Sequence, residues 1–154
     1  MRCQASYDAV AEEYVRRIYD ELQHKPLDRE LLDRFCARVS GVGSVCDVGC
    51  GPGHVARHLS EKGVQVCGVD LSPAMVAQAR RLNPAIEFFI GDMMALNFPD
   101  QVWAGITAFY SLIHIPRAEI RNALCELRRT LRPGGLLFIA FHIGSHTVHL
   151  DEWW

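Results

Sequence analysis

The sequence lacks an apolar run long enough to cross a membrane, and it lacks a cluster of lysine and arginine. The longest apolar run covers Leu136 to Phe141, whereas a membrane-spanning helix needs about 20 such residues. The 16 basic and 18 acidic residues give a formal net charge of -2, without the basic stripe that neutralises nucleic-acid phosphates. We therefore expect a soluble cytoplasmic protein with no membrane partner and no nucleic-acid partner.

The sequence also lacks the cysteine and histidine spacings of disulfide frameworks and metal sites. Its six cysteines include no CxxC pair, and Cys46, Cys50 and Cys67 fall in apolar runs or beside glycines. We expect buried thiols in a reducing compartment. One C-terminal group contains possible metal ligands: His142, His146, His149 and Asp151. Its spacing matches no zinc signature, so no metal site is predicted.

Apolar residues recur at helical spacing over the first forty positions. They lie at positions 7, 10, 11, 14, 15, 18 and 22 and, after Pro26, at positions 31, 32, 35, 36 and 39. This spacing predicts two amphipathic helices, the second ending at Gly41 and Gly43. We expect residues 1–40 to form an N-terminal helical cap.

From residue 41 short apolar runs alternate with helical stretches. The runs are VGSVCDVG, VQVCGVD, IEFFIGD, Val102–Phe109 and Leu136–Phe141, and the helical stretches are Val55–Glu61, Ala74–Leu82 and Pro116–Leu131. Ser72 and Pro73 are a typical helix start, and the turn Pro133–Gly135 is predicted to end the last helix. The alternation predicts an α/β unit over residues 41–154, with a Rossmann-like parallel sheet of about five strands and helices on both faces.

Acidic residues and glycines follow the first three predicted strands. Asp47 precedes the loop Gly49–Gly53, Asp70 ends the second strand, and Asp92 follows the third. In parallel sheets, ligands bind beyond the carboxyl ends of the strands. Glycines let the backbone approach a ligand closely, and Asp70 can accept both hydroxyl protons of a ribose. Together these residues indicate an adenosine-type ligand.

Charge and spacing distinguish between adenosine cofactors. A dinucleotide fingerprint needs a third glycine at position 54, where the sequence has His54. The charge of Asp47 would oppose a pyrophosphate but suits the ammonium and sulfonium groups of S-adenosylmethionine. Asp92 can accept the adenine amino group. The residues favour S-adenosylmethionine over a nicotinamide dinucleotide.

Four segments together resemble the motifs of class I S-adenosylmethionine-dependent methyltransferases of the small-molecule type. They are Asp47–Gly53, Val69–Ser72, Gly91–Met93 and Leu131–Gly135. The resemblance extends from about Tyr7 to Phe141. It implies methyl transfer from S-adenosylmethionine to a small-molecule acceptor.

The resemblance also implies which residues bind the cofactor. They are Tyr14, Asp47, Gly49, Cys50, Gly51, Gly53, Asp70, Leu71, Met75, Asp92, Met93 and Phe109. Gly49 and its loop would contact the methionine portion and Asp70 the ribose, while Leu71 and Met93 would flank the adenine. Tyr14 would cover the sulfonium with its ring, or it is a core aromatic on a helix face.

His114 and Tyr110, which follow the fourth strand, are the predicted catalytic residues. A sulfonium is a strong leaving group, so transfer needs orientation, exclusion of water and, for some acceptors, a base. By the same resemblance, Phe109 and Tyr110 would border the transferring methyl group. His114 would be the base, with a structural histidine as the alternative. His54, Arg57 and His58 are expected on a solvated helix face.

The predicted fifth strand leaves one edge of the sheet open. Similar methyltransferases have two further strands there, so we expect a truncated product or an edge covered by a partner, and we predict a homodimer through this edge. Trp153 and Trp154 resemble the start of a substrate-capping segment or dock on the sheet. Three interpretations remain open: a small-molecule methyltransferase, a truncated or non-catalytic S-adenosylmethionine-binding domain, and an NAD-dependent oxidoreductase.

Overall fold

The N-terminal part of the chain is helical. The computed structural model describes residues 2–144, and of residues 2 and 3 only the backbone. Helix α1 spans Arg2–Ile18, a 3-10 turn spans Glu21–His24, and helix α2 spans Pro26–Val39 with its proline in the first turn. The first helix is thus shorter than its apolar pattern, because Leu22 is buried from the 3-10 turn instead.

Five strands form one parallel sheet, which confirms the predicted fold class. They are β1 (Val45–Val48), β2 (Val66–Asp70), β3 (Glu87–Ile90), β4 (Trp103–Phe109) and β5 (Leu131–Ala140). Their order is β3-β2-β1-β4-β5, and every pairing is parallel. The strand order reverses between β1 and β4, so the carboxyl ends of these two strands mark the position where parallel sheets bind ligands.

Three helices connect the strands. They are α3 (His54–Glu61), α4 (Pro73–Leu82) and α5 (Ile120–Thr130). Ser72 caps α4 as predicted, since its hydroxyl accepts a hydrogen bond from the Met75 amide at 3.1 Å. Helix α5 begins four residues later than its apolar pattern, because a turn over Pro116 and Glu119 precedes it.

Strand β5 corrects one sequence-based boundary. The turn at Pro133–Gly135 was predicted to precede the strand, but β5 already begins at Leu131. Leu131 pairs with Trp103 and Leu136 with Gly105, so the residues between them bulge out of the ladder. Gly134 makes this possible because its φ is +75°.

The sheet buries apolar side chains on both faces. Ala123 and Leu127 of α5 pack on one face beside Ile106. Helices α2 and α3 cover the other face through residues such as Phe35 and Leu59. Cys46, Cys50 and Cys67 are buried, as predicted. Within the described residues, no helix is both long and apolar enough to cross a membrane.

Candidate functional site

The glycine loop after β1 turns sharply beneath a neighbouring side chain. Gly49 has a φ of +71°, and a Cβ added there would lie 2.2 Å from the Cβ of Ser111. Ser111, which follows β4, donates its hydroxyl to the Val48 carbonyl at 2.8 Å. The loop and the end of β4 are therefore packed together at the strand-order switch, and only glycine fits at position 49.

Asp70 is held at the end of β2 by backbone groups. Its Oδ2 accepts from the Gly51 amide at 2.8 Å, and its Oδ1 accepts from the Ser72 amide at 2.8 Å. Burial raises the pKa of Asp70 above its ordinary value, although these amides oppose that shift. A carboxylate offers about four acceptor positions, so this fixed group can still accept two hydroxyl protons.

A cavity of about 500 Å³ lies over the carboxyl ends of the strands. The glycine loop and the β2–α4 region contribute the predicted residues Gly49, Cys50, Gly51, Asp70, Leu71 and Met75. Other elements contribute the predicted residues Tyr14, Asp92, Met93, Phe109, Tyr110 and His114. The structure thus brings nearly all of the predicted site residues to one cavity.

Asp47 and Gly53 do not line this cavity. Asp47 lies beneath the glycine loop, 1% exposed, where Thr107 donates its hydroxyl to Oδ1 at 2.6 Å. Burial raises the pKa of Asp47 to about 6. Gly53 packs instead against the Phe88 ring, which a Cβ would approach to 2.8 Å. Cofactor contact by these two residues stays a prediction.

Helix α1 closes the cavity from above. The Tyr7 hydroxyl lies 2.7 Å from Nε2 of His114, so α1 is joined to the segment after β4. Asp8 accepts from the Ser72 hydroxyl at 2.5 Å and from the Ala74 amide at 3.1 Å, which joins α1 to the start of α4. Tyr14 faces the glycine loop, since a Cβ on Gly51 would lie 3.9 Å from its Cε1.

Two predicted catalytic residues lie at the β4 end of the cavity. Tyr110 has a φ of +52°, a strained conformation for a residue with a side chain and one that clusters at functional sites. Its ring stacks on His142 with centroids 4.6 Å apart. Partial burial lowers the pKa of His114, which favours the neutral imidazole at pH 7.

The expectation of a solvated helix face is wrong for His54 and His58, and Arg57 is only partly exposed. His54 is 6% exposed and lines the cavity, with Nε2 lying 3.0 Å from Oε1 of Glu21. His58 is 9% exposed and lies 2.7 Å from Asp33, and Arg57 packs on the Tyr19 ring. Helix α2 and the segment between α1 and α2 cover this face. No local pattern in the sequence indicates this packing.

Metal ligands do not cluster in the part of the chain that the structure describes. No group of three histidine, cysteine or acidic side chains there could hold a metal ion. Of the C-terminal group considered above, His146, His149 and Asp151 lie outside the described residues, as do Trp153 and Trp154.

The family model described as a methyltransferase domain matches residues 45–135, more than half of the chain. The chain belongs to this family. The match covers the glycine loop, the strand-end aspartates Asp47, Asp70 and Asp92, and the turn Pro133–Gly135, so it confirms the resemblance inferred from those motifs. It also favours the methyltransferase interpretation over the oxidoreductase one.

Known relatives of this methyltransferase domain are longer than the chain. A malonyl-[acyl-carrier protein] O-methyltransferase of Enterobacter lignolyticus is 33% identical over 95% of this chain and 58% of that enzyme. The S-adenosylmethionine-bound aminopentose methyltransferase CalS10 of Micromonospora echinaspora has a TM-score of 0.68 at 28% identity, covering 75% of this chain and 50% of CalS10. The [4+2]-cyclase SpnF has a TM-score of 0.63 at 29% identity, covering 72% of this chain and 44% of SpnF.

Proposed function

We propose that this methyltransferase domain binds S-adenosylmethionine and transfers its methyl group to a small-molecule acceptor. The observation that carries the proposal is Asp70, a carboxylate fixed by two backbone amides at the wall of the cavity. A carboxylate at this position accepts the two hydroxyl protons of a ribose. The membership of the chain in the methyltransferase domain family supports the same cofactor.

The residues present fit that cofactor in size and in charge. A cavity of about 500 Å³ is within the usual range for small-molecule sites, about 300–1,000 Å³. The charged side chains that line it in the described structure are the carboxylates Glu21, Asp70, Asp92 and Glu119, which suit a cationic ligand. Gly49 and Gly51 provide backbone without side chains beside these groups.

In the proposed complex, each part of the cofactor would contact a different group of lining residues. Asp92 and Met93 would hold the adenine, with Leu71 on its other face, and Asp70 would hold the ribose. Tyr14 lies beside Gly51, where its ring would cover the sulfonium. Burial, together with the charges of Glu21 and Asp70, raises the pKa of Tyr14, so its hydroxyl stays protonated and hydrogen-bonding.

The chemical role of the protein is to orient the acceptor and exclude water. When bound, S-adenosylmethionine supplies a methyl group on a sulfonium, which is a strong leaving group. The aromatic residues Tyr7, Tyr110 and Phe109 shield the reacting end of the cavity. Where the acceptor carries a proton, neutral His114 accepts it at the ring, which Tyr7 holds in place.

The acceptor itself differs among the relatives. One relative is named a malonyl-[acyl-carrier protein] O-methyltransferase, another an aminopentose methyltransferase, and a third a cyclase. The fold therefore allows several chemistries, and we assign the small-molecule class without naming the acceptor atom. The chain spans about half the length of the relatives it matches. A cofactor-binding domain without methyl transfer is the second candidate, because the similar structure of SpnF carries the name of a cyclase.

The proposal extends to the cellular setting. We place the protein in the cytoplasm, because the cysteines Cys36, Cys46, Cys50, Cys67 and Cys125 are free thiols.

We propose a homodimer through β5, a strand that pairs only with β4 in the described part of the chain. We propose no nucleic-acid partner, because the formal net charge of -2 does not favour binding to phosphates.

Calorimetric titration tests cofactor binding. S-adenosylmethionine and S-adenosylhomocysteine are expected to bind, whereas NAD is not. Asp70→Ala should lower the affinity for each of the two S-adenosyl compounds by about 10- to 100-fold. Glu87→Ala removes an equal charge from the exposed face of β3 and should leave both affinities unchanged. A folded protein that binds neither compound, or prefers NAD, would refute the proposal.

Turnover tests methyl transfer separately. Once a screen identifies an acceptor that must lose a proton, His114→Gln should lower its turnover by about 100-fold or more and leave the affinity for S-adenosylhomocysteine unchanged. Equal turnover by this variant would remove His114 from the mechanism. Binding without turnover of any acceptor would favour the non-catalytic candidate.

A further inference from the structure

Glu21 is a cavity-lining carboxylate that the cofactor assignment above does not use. Its Oε1 lies 3.0 Å from Nε2 of His54, and its Oε2 lies 2.7 Å from Nζ of Lys25. Burial raises the pKa of Glu21, but the hydrogen bonds from His54 and Lys25 outweigh it and hold the pKa below its ordinary value. The group is thus ionised at neutral pH, and Nε2 of His54 must be the protonated ring nitrogen that donates to it.

The contacts of Glu21 indicate which part of the cavity it occupies. Tyr14 lines the cavity with the carboxylates Glu21 and Asp70, and it lies beside Gly51, whose amide donates to Asp70. Glu21 contacts His54, the residue directly after the glycine loop. If Asp70 holds the ribose and the glycine loop contacts the methionine portion, Glu21 lies beside that portion, because its partner His54 directly follows the loop. That is the position of the amino-acid end of the proposed cofactor, which carries an ammonium and a carboxylate.

The charge of this part of the cavity selects between those two groups. The described lining residues include no lysine or arginine, and the acidic ones include Glu21 itself. The carboxylate of Glu21 is 14% exposed, and His54 and Lys25 occupy two of its about four acceptor positions. It can therefore accept N–H donors from an ammonium without losing either partner.

His54 and Lys25 fix Glu21 in position. His54 is buried at the first position of α3, directly after the glycine loop. Lys25 lies 4.8 Å from the centroid of the Tyr110 ring. The carboxylate is thus held between the loop after β1 and the end of β4.

We propose that Glu21, positioned by His54 and Lys25, binds the ammonium group at the amino-acid end of S-adenosylmethionine. This inference rests on the proposed cofactor site. It adds a residue from the 3-10 turn, outside the segment that matches the family model. Asp47 then acts on the ligand indirectly, from beneath the loop.

The test compares ligands with and without the amino-acid end in a calorimeter. S-adenosylhomocysteine carries that end, whereas 5′-methylthioadenosine shares the thioether and the adenosine but lacks it. Glu21→Gln keeps the side-chain shape and removes the charge. This variant should bind S-adenosylhomocysteine about 10- to 100-fold more weakly, and its affinity for 5′-methylthioadenosine should be unchanged. Asp20→Asn makes the same charge change one residue earlier, at a side chain paired with Arg57, and should alter neither affinity.

A measurement on the unsubstituted protein makes the test independent of variant folding. An analogue of S-adenosylhomocysteine with hydrogen in place of the ammonium group should bind about tenfold more weakly than the parent compound. Equal affinities, or equal weakening of both ligands by Glu21→Gln in a folded variant, would overturn the inference while leaving the cofactor site intact. If the unsubstituted protein bound neither S-adenosylhomocysteine nor 5′-methylthioadenosine, the proposed function itself would fail.

Discussion

Gly49 is the residue at which backbone conformation and close packing coincide. A residue with a side chain would be strained there by the left-handed φ of +71°, and its Cβ would lie 2.2 Å from the Cβ of Ser111. We expect Gly49→Ala to lower the free energy of unfolding by about 2–5 kcal/mol, from roughly 1–2 for the left-handed conformation and 1–3 for overpacking. Urea denaturation measures this change.

Gly63 provides the control for the conformational part alone. Its φ is +80°, but a Cβ there would meet nothing within 4 Å. Gly63→Ala should therefore cost only the smaller contribution, about 1–2 kcal/mol. Equal decreases in the free energy of unfolding of the two variants would mean that Ser111 moves away from the added methyl group and that the glycine loop is not tightly packed.

Asp47 makes folding stability depend on pH in a direction opposite to that of most carboxylates. Its pKa is about 6 in the folded protein, against an ordinary value of 3.8, so the folded state binds the proton more tightly. The contribution of protonated Asp47 to the free energy of unfolding is complete below pH 3.8 and is lost as the pH rises through about 6. Above that pH, ionised Asp47 destabilises the fold by on the order of 3 kcal/mol.

Asp47→Asn tests this effect, because asparagine stays neutral and can still accept the hydrogen bond from Thr107. Without cofactor, the variant and the unsubstituted protein should be similarly stable near pH 4. The variant should be the more stable one at pH 8. Denaturation at the two pH values gives the comparison, and a difference that does not change with pH would contradict the predicted ionisation of Asp47.

At the scale of elements, the Asp8 carboxylate joins α1 to the start of α4. Asp8 bonds both the Ser72 hydroxyl and the Ala74 amide at the N-terminus of α4, where a negative charge is favourable. Asp8→Ala should speed amide hydrogen exchange across residues 2–18 and weaken binding of S-adenosylhomocysteine by several-fold. The central strands should keep their protection.

The matched control lies on the same helix. Glu12→Ala removes an exposed carboxylate of α1 and should leave both exchange and affinity unchanged. If Asp8→Ala changed the exchange of the whole molecule equally, Asp8 would be a general stabilising residue and α1 would not open as a separate unit.

The existence and type of the elements followed from local patterns, and their ends did not. Apolar periodicity identified the helices, the parallel strands and their alternation. The late start of α5 and the early start of β5 depend on a turn at Pro116 and on a register shift against β4. Such boundaries are set by the neighbouring strand, which a local pattern does not contain.

At the scale of the whole molecule, the two edges of the sheet differ in their expected role. Strand β5 carries Leu137 at 37% exposure, and β3 carries Ile90 at 56% exposure at the other edge. If β5 forms the proposed dimer interface, Leu137→Lys should shift the sedimentation profile towards monomer at high concentration. Ile90→Lys should not. A monomeric profile of the unsubstituted protein at every concentration would exclude the dimer.

The sequence by itself determined the fold class and most of the cavity wall. Glycines, strand-end aspartates and capping residues act through local backbone chemistry, and parallel topology carries successive strand ends to one edge of the sheet. The tertiary structure alone decided three further features: Asp47 lies beneath the loop, His54 and His58 are buried, and Glu21 reaches the cavity. The physical reason is distance along the chain. The contact between His54 and Glu21 spans 33 positions and forms only because α1, α2 and the turn between them fold over the sheet, which no local pattern encodes.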